Sequence, residues 1–297
     1  MTSERGFAVI LVIWALAVMT TIAAGFALAV RHETRVAQDG VTELESDAAM
    51  TAALSYAIYQ LNLRDADRRW LADGHSHSIP TTNGSTTVTV RSEGAKIDIN
   101  RAPRQLLEGL IAQLLPDAPV SQLVDALIDW RDRDDDVSPE GAEENEYRSA
   151  GYSYGPANDA LRSVHELGQV MGFDADRMAA LLPYLTVYSR SPRINALGAD
   201  LLTLSAVPGI SRADAERFIA ERELAMAAGQ KVSLDTLRES RRYLDMRVDS
   251  RVINMEIETR LQDTAPRKEQ FVIQLRSDGY YEILAHETPA RDTEQAL

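Results

Sequence analysis

The sequence predicts an α+β protein: a long N-terminal helix packed on an antiparallel sheet, with a large all-α domain inserted. Three observations predict it. An uncharged apolar run from Phe7 to Val30 leads into an Ala- and Glu-rich helical stretch reaching about Arg69. Side chains alternate with period two over residues 86–99 and again over 248–285. Between those stretches, from Ala102 to about Leu244, the apolar spacing is helical. Two short hairpins are each marginal alone, so the simplest topology joins them in one sheet and places the helical block in a connection. Two independent domains are the alternative.

The elements follow in order. The 24 residues of the first run would extend about 36 Å as a helix, enough to cross the hydrocarbon core of a bilayer. The run is longer than the core of an ordinary signal peptide, and its leader carries one Glu and one Arg instead of a basic cluster. In the following helix, Val41, Leu44, Ala48, Ala52, Ser55 and Tyr59 share one face, with Ala49, Ala53 and Ala57 beside them. Such a small-residue face suits close approach of another helix. Gly74 to Ser85 reads as a polar loop, followed by a hairpin of Thr86–Arg91 and Ala95–Ile99. Pro103 can open a helix carrying Leu106, Leu107, Leu110 and Ile111. Ser121 can cap a helix from Leu123 to Arg133 with Leu123, Leu127 and Trp130 on one face. Short helices are expected at 164–171, 176–184, 211–223 and 233–244. The expected division is 1–6 leader, 7–30 membrane and assembly helix, 31–101 first part of the sheet domain, 102–246 helical insert, 247–288 second part, and 289–297 a loose tail.

Composition excludes several classes of function. With no cysteine, the chain has no disulfide, thiolate metal site or cysteine nucleophile. A net charge of −14 disfavours nonspecific nucleic-acid binding, which needs clustered Lys and Arg. No Ser–His–Asp order, phosphate loop or dinucleotide fingerprint appears, so no enzyme is expected. The chemistry concentrates in residues 129–147, where nine carboxylates face two arginines. Asp132, Asp134 and Asp136 alternate, as ligands do in a loop wrapping a hard cation such as Ca²⁺. The spacing is not that of an EF-hand, and a solvated acidic loop is the plain alternative. A two-metal hydrolase lacks the other groups it would need.

Several segments together resemble one family, the large minor pseudopilins K of type II secretion systems (general secretion pathway protein K). They are the leader with GFAVILVIWALAVMTTIAAG, Ile97-Asp98-Ile99-Asn100-Arg101-Ala102-Pro103, Leu127–Asp132 with Asp134, Gly141-Ala142-Glu143 before Tyr147, Pro156-Ala157-Asn158, and Ser163–Leu167. The resemblance implies a type IV pilin-like fold carrying an inserted helical domain. It implies cleavage by a prepilin peptidase between Gly6 and Phe7, with methylation of the new N-terminus. It implies calcium, with Asp132, Asp134, Glu143 and Glu144 as ligand candidates and Asp129 and Asp136 behind them. The family usually carries glutamate at the fifth mature position, where this chain has Leu11. That glutamate is thought to neutralise a neighbour's N-terminal amine, and a lone buried carboxylate is costly. Leu11 therefore fits a subunit at the pseudopilus tip, and the bulky insert points the same way.

The implied role is to initiate assembly beside minor pseudopilins I and J, with H and the major pseudopilin as further partners. The implied place is the Gram-negative inner membrane, single-pass, with the soluble part in the periplasm. The competing reading is a single-pass envelope binding protein that keeps its leader. A third reading, a membrane-tethered DNA receptor, arises because Leu204–Ile219, with Pro208-Gly209 at its turn, resembles a helix-hairpin-helix. The acids Asp214, Glu216, Glu221 and Glu223 around it argue for a purely structural turn.

Overall fold

The computed structural model describes residues 4–65, 68–246, 251–262, 264–276 and 278–288, with α1 side chains from Leu11 onward except at residues 34, 36, 37 and 39. The expected tail, 289–297, and the first three leader residues lie outside the described residues. Helix α1 runs from Glu4 to Leu61, 58 residues, ending before the expected Arg69. Its segment Leu11–Glu33 is long and apolar enough to cross a membrane. There the hydroxyls of Thr20 and Thr21 donate back to the carbonyls of Leu16 and Ala17, so both hydroxyls are satisfied within the helix itself.

The second half of α1 lies on a five-stranded antiparallel sheet. Its strands are β1 (Asp73–Thr81), β2 (Gly84–Ser92), β7 (Val252–Leu261), β8 (Arg267–Leu275) and β9 (Tyr281–Glu287), in the order β1-β2-β7-β8-β9. Met50, Ala53, Leu54, Ala57 and Ile58 of α1 are buried against Val88 and Val90 of β2, Ile253, Met255 and Ile257 of β7, and Phe271 and Ile273 of β8. Alternate residues of each strand supply this face, as a half-buried sheet requires. The sheet takes only Ala53 and Ala57 of the small-residue face. Val41, Leu44, Ala48, Ala52, Ser55 and Tyr59 all remain exposed, because the bulkier Met50, Leu54 and Ile58 bury more apolar area against the sheet.

The insert has its own core and leaves the sheet between β2 and β7. After a 3-10 turn at Glu93–Ala95 come β3 (Ile97–Asp98), α2 (Arg104–Leu114), α3 (Val120–Arg131), α4 (Glu144–Ser149), α5 (Ala175–Leu181), β4 (Leu185–Thr186), β5 (Ile194–Asn195), α6 (Leu201–Ser205), α7 (Arg212–Ala227) and β6 (Leu244–Asp245). Leu106, Leu107, Leu110, Leu123, Leu127, Tyr147 and Phe218 are fully buried at its centre. The chain returns to β7, which pairs with β2 from Ser92↔Ile253 to Gly84↔Leu261. The joined-sheet topology is thus the observed one.

Three local expectations are corrected. Gly74–Ser85 is not a loop: most of it is β1, hairpinned to β2 through Thr82-Asn83, and Pro80 is tolerated because β1 is an edge strand. Ala95–Ile99 does not form the second arm of a hairpin. Ile97 and Asp98 instead pair in parallel with Leu185 and Thr186, and Ile194 and Asn195 pair likewise with Leu244 and Asp245, so the helical insert also holds two small strand pairs. Finally, α3 begins at Val120 behind Pro119, and Ser121 lies inside it instead of capping it.

Candidate cation site and assembly helix

The acidic loop hangs between α3 and α4, and Asp129 organises it. Asp129 is fully buried, and its carboxylate accepts from the backbone amides of Ser138 and Ala142, the latter at 2.8 Å. Gly141 is required here, since a Cβ would come within 1.9 Å of Asp129 Oδ2. The loop's anchorage continues at Arg131, which donates to the carbonyls of Ile99 and Ala102. Asn100 both donates to and accepts from the backbone of Leu161, at 2.8 Å each. Asp98 accepts from the amides of Asn100, Arg101 and Arg190 and from the Ser189 hydroxyl. The Ile97–Pro103 motif is therefore a clasp that holds the loop's base to the sheet side of the insert.

Glu143 carries the strongest electrostatic signature. It is 6% exposed, stands at the start of α4, and its Oε1 is buried with no hydrogen-bond partner. Burial first, then the charges of Asp129, Asp132, Asp135 and Asp134, push its carboxyl up to about 7. Asp132, at the end of α3, is raised for the same reasons, and its Oδ1 is also buried and unpartnered. A buried carboxylate oxygen without a donor costs about 1–3 kcal/mol or more. Two of them in one loop of like charge form a donor set suited to a hard, oxygen-seeking cation.

The other sequence candidates are placed differently. Asp134 Oδ1 accepts from the amide of Asp136, and both residues are exposed. Glu144 is ion-paired to Arg148 on the exposed side of α4. Among the described residues, no three His, Cys, Asp or Glu side chains converge as a ready-made metal cage. The structure adds one residue that sequence spacing did not single out as a donor. Asn158 holds a left-handed φ of 48°, donates to Asp135 at 2.9 Å, and leaves its own Oδ1 buried and unpartnered. The signal available for it was an Asn directly after Pro156-Ala157, a residue type that tolerates positive φ.

Beside the loop stands an aromatic group. Trp130 lies 6.1 Å from Tyr147 and 6.5 Å from Tyr154, centroid to centroid. Tyr147 is fully buried, its hydroxyl accepts from the amide of Met171 at 2.8 Å, and burial pushes its phenol up to about 12.

The Pro208-Gly209 turn lies at the surface of the insert and is held by the insert's own groups. Gly209 has φ +83°, the Ser240 hydroxyl donates to the Pro208 carbonyl at 2.7 Å, and Ser211 caps α7 by accepting from Asp214. The side chain at that helix start is Asp214, which would repel phosphate. On α1, Leu11, Trp14 and Phe26 are exposed, Leu11 by 60%. Gly6 and Phe7 lie within the helical backbone of α1.

The chain matches the model of one family, described as Type II secretion system (T2SS), protein K, over residues 81–190. Among relatives, the type II secretion system protein K of Pectobacterium carotovorum subsp. carotovorum is 28% identical over 235 residues, covering 69% of this chain and 70% of the relative. The protein K of Dickeya chrysanthemi is 36% identical over 107 residues, 34% of this chain and 29% of that one. The protein K of Klebsiella pneumoniae is 25% identical, covering 68% of this chain and 69% of its own length. In fold, the chain is similar to one in the crystal structure of the GspK-GspI-GspJ complex from the enterotoxigenic Escherichia coli type 2 secretion system. The TM-score is 0.59 at 22% identity, over 87% of this chain and 99% of that one. The sheet with its long helix, the inserted block and the matched central segment agree with these relatives: in sequence and in fold the chain is similar to type II secretion system protein K.

Proposed function

We propose that the protein is a minor pseudopilin at the tip of a type II secretion pseudopilus, where it initiates assembly and supports protein export across the outer membrane. Helix α1 carries this reading. In its first half Leu11, Trp14, Met19 and Phe26 are exposed, and its second half keeps Val41, Leu44 and Tyr59 facing away from its own sheet. Packing against helices of other subunits buries both stretches, through van der Waals contact within lipid and apolar burial outside it. Since the Escherichia coli complex joins GspK with GspI and GspJ, minor pseudopilins of those two kinds are the proposed neighbours, with H and the major pseudopilin below. Leu11, uncharged at the fifth position after Phe7, suits the subunit with nothing above it.

In this reading a prepilin peptidase cuts between Gly6 and Phe7. The helix anchors the protein in the inner membrane, and the sheet and insert lie in the periplasm. Calcium would be held in the acidic loop by the unpartnered oxygens of Asp132 and Glu143, with Asn158 as a neutral donor. Bound calcium would neutralise the loop's repulsion and stabilise the folded insert.

Mass spectrometry of the protein from its native membrane tests the assignment. A chain starting at N-methyl Phe7 is expected. An intact leader, or cleavage beyond Ala23, refutes the pseudopilus role and leaves an ordinary anchored envelope protein.

A further inference from the structure

A cleft of about 510 Å³ separates the outer strands of the sheet from the insert. It is remote in sequence from the acidic loop. One wall is the turn after β2 together with β7, β8 and β9; the other comes from residues 163–165 and 182–188. Its lining holds two polar side chains that are almost fully buried and incompletely satisfied. Glu93 is 2% exposed; its Oε1 lies 3.5 Å from Lys96 Nζ, while its Oε2 has no partner. Asn254 is 7% exposed; its Oδ1 accepts from Gln270 Nε2 at 2.9 Å, while its Nδ2 has no partner.

The charge of the cleft is directional. Glu256 is engaged by Lys268 at 2.9 Å, outside the question. Tyr188 lines the cleft, and its phenol is raised by burial and then by the charges of Glu287 and Glu93, so the two carboxylates act on one region. Glu287 is also 3.5 Å from His165 Nε2, and both are more than half exposed at the mouth. Arg91 and Lys96 also line the cleft, but the carboxylates of Glu93, Asp200, Glu256 and Glu287 outnumber them, so the interior offers an anionic acceptor and an amide donor and the mouth a second anion.

A ligand complementary to this set carries a cationic donor and, a short distance away, a neutral acceptor. An arginine within a polypeptide has both: a planar guanidinium able to serve two carboxylates, and its own main-chain carbonyl. The size is within the range of peptide and small-molecule sites. Small rotations of Glu93 and Asn254 would turn buried, unpaired atoms into paired ones, recovering a cost that each now imposes.

We propose that this cleft receives an arginine-bearing segment of a partner polypeptide, with the guanidinium on Glu93 and Glu287 and the peptide carbonyl on Asn254. The inference does not depend on the pseudopilus assignment or on calcium. The test is a titration of the isotope-labelled full chain in detergent with N-acetyl-arginine amide, following the Val164 and Gly198 amides by NMR. Binding that shifts both amides is expected, with N-acetyl-citrulline amide at least about tenfold weaker because it lacks the charge. Glu93→Gln should weaken binding about tenfold with the melting temperature held, and Glu287→Gln, at an exposed position, should weaken it about threefold. Equal binding of the citrulline compound overturns the proposal, as does agmatine binding as tightly as the peptide amide, since agmatine has no carbonyl. Unchanged affinity in folded Glu93→Gln also overturns it, and if that variant does not fold, unchanged affinity in Glu287→Gln does so.

Discussion

Replacing Glu143 by Gln should make the calcium-free protein more stable. The Glu143 carboxyl titrates at about 7 in the folded protein, against an ordinary value of 4.5. The folded state therefore binds this proton more tightly than the unfolded state does. Between those two values the folded chain carries more protons, so its stability falls as pH rises through the window. Below it both states are protonated and nothing is lost; above it the full penalty applies. A shift of that size corresponds to about 3 kcal/mol, and screening of the exposed neighbours Asp134 and Asp135 reduces it to about 1–2 kcal/mol. Gln keeps the shape and never charges. In chelator, wild type should melt about 3–6 °C lower at about pH 8 than at about pH 5, beyond whatever change Glu143→Gln shows over the same interval. Calcium at the higher pH should restore the wild type and help the variant less, because a ligand oxygen charge has been removed. Scanning calorimetry of the full chain in detergent reads all four conditions. Identical pH dependence of wild type and variant in chelator would refute the account of Glu143 as a repelled, buried carboxylate.

Other expectations follow from the same geometry. Gly141→Ala should destabilise the protein by about 2–3 kcal/mol in denaturant titration, because its methyl would collide with the buried Asp129 carboxylate. Arg131→Met should cost about 2–3 kcal/mol by the same measurement, since the carbonyls of Ile99 and Ala102 lose their charged donor. Terbium in place of calcium should emit when Trp130 is excited, given the aromatic group beside the loop. That emission should fall on adding calcium and be lost in Asp132→Asn; emission unaffected by either would place the ion elsewhere.

The change of period from two to helical and back was enough to identify the joined sheet and its insert, because β7 and β8 bury alternate apolar residues on one face. Strand β1 escaped because His75, Ser76, His77 and Ser78 give an edge strand no apolar alternation, and only Thr82-Asn83 before Gly84 marked its turn. On α1, Ala and Ser are compatible with either face, and only the three-dimensional position of the sheet selects Met50, Leu54 and Ile58. Within the acidic loop, charge density drew attention to residues 129–147. It could not separate Asp129, spent on backbone amides, from Glu143, whose Oε1 is left without a donor, since that distinction depends on where residues 138–142 fold back. Asn158 and the Glu93–Asn254 cleft join residues far apart along the chain, and no local spacing carries them.

The Ser92↔Ile253 pairing has a kinetic consequence. The two strands that exchange it are separated by about 160 residues, and closing a flexible loop of that length costs about 4–5 kcal/mol of chain entropy beyond the constant term. A connection already condensed into a compact body, with its entrance at Ile97 and its exit at Asp245, presents its two ends at a fixed separation. The central ladder then zips as though across a short turn. Folding order is thereby biased: the inserted block consolidates first, and the sheet closes behind it.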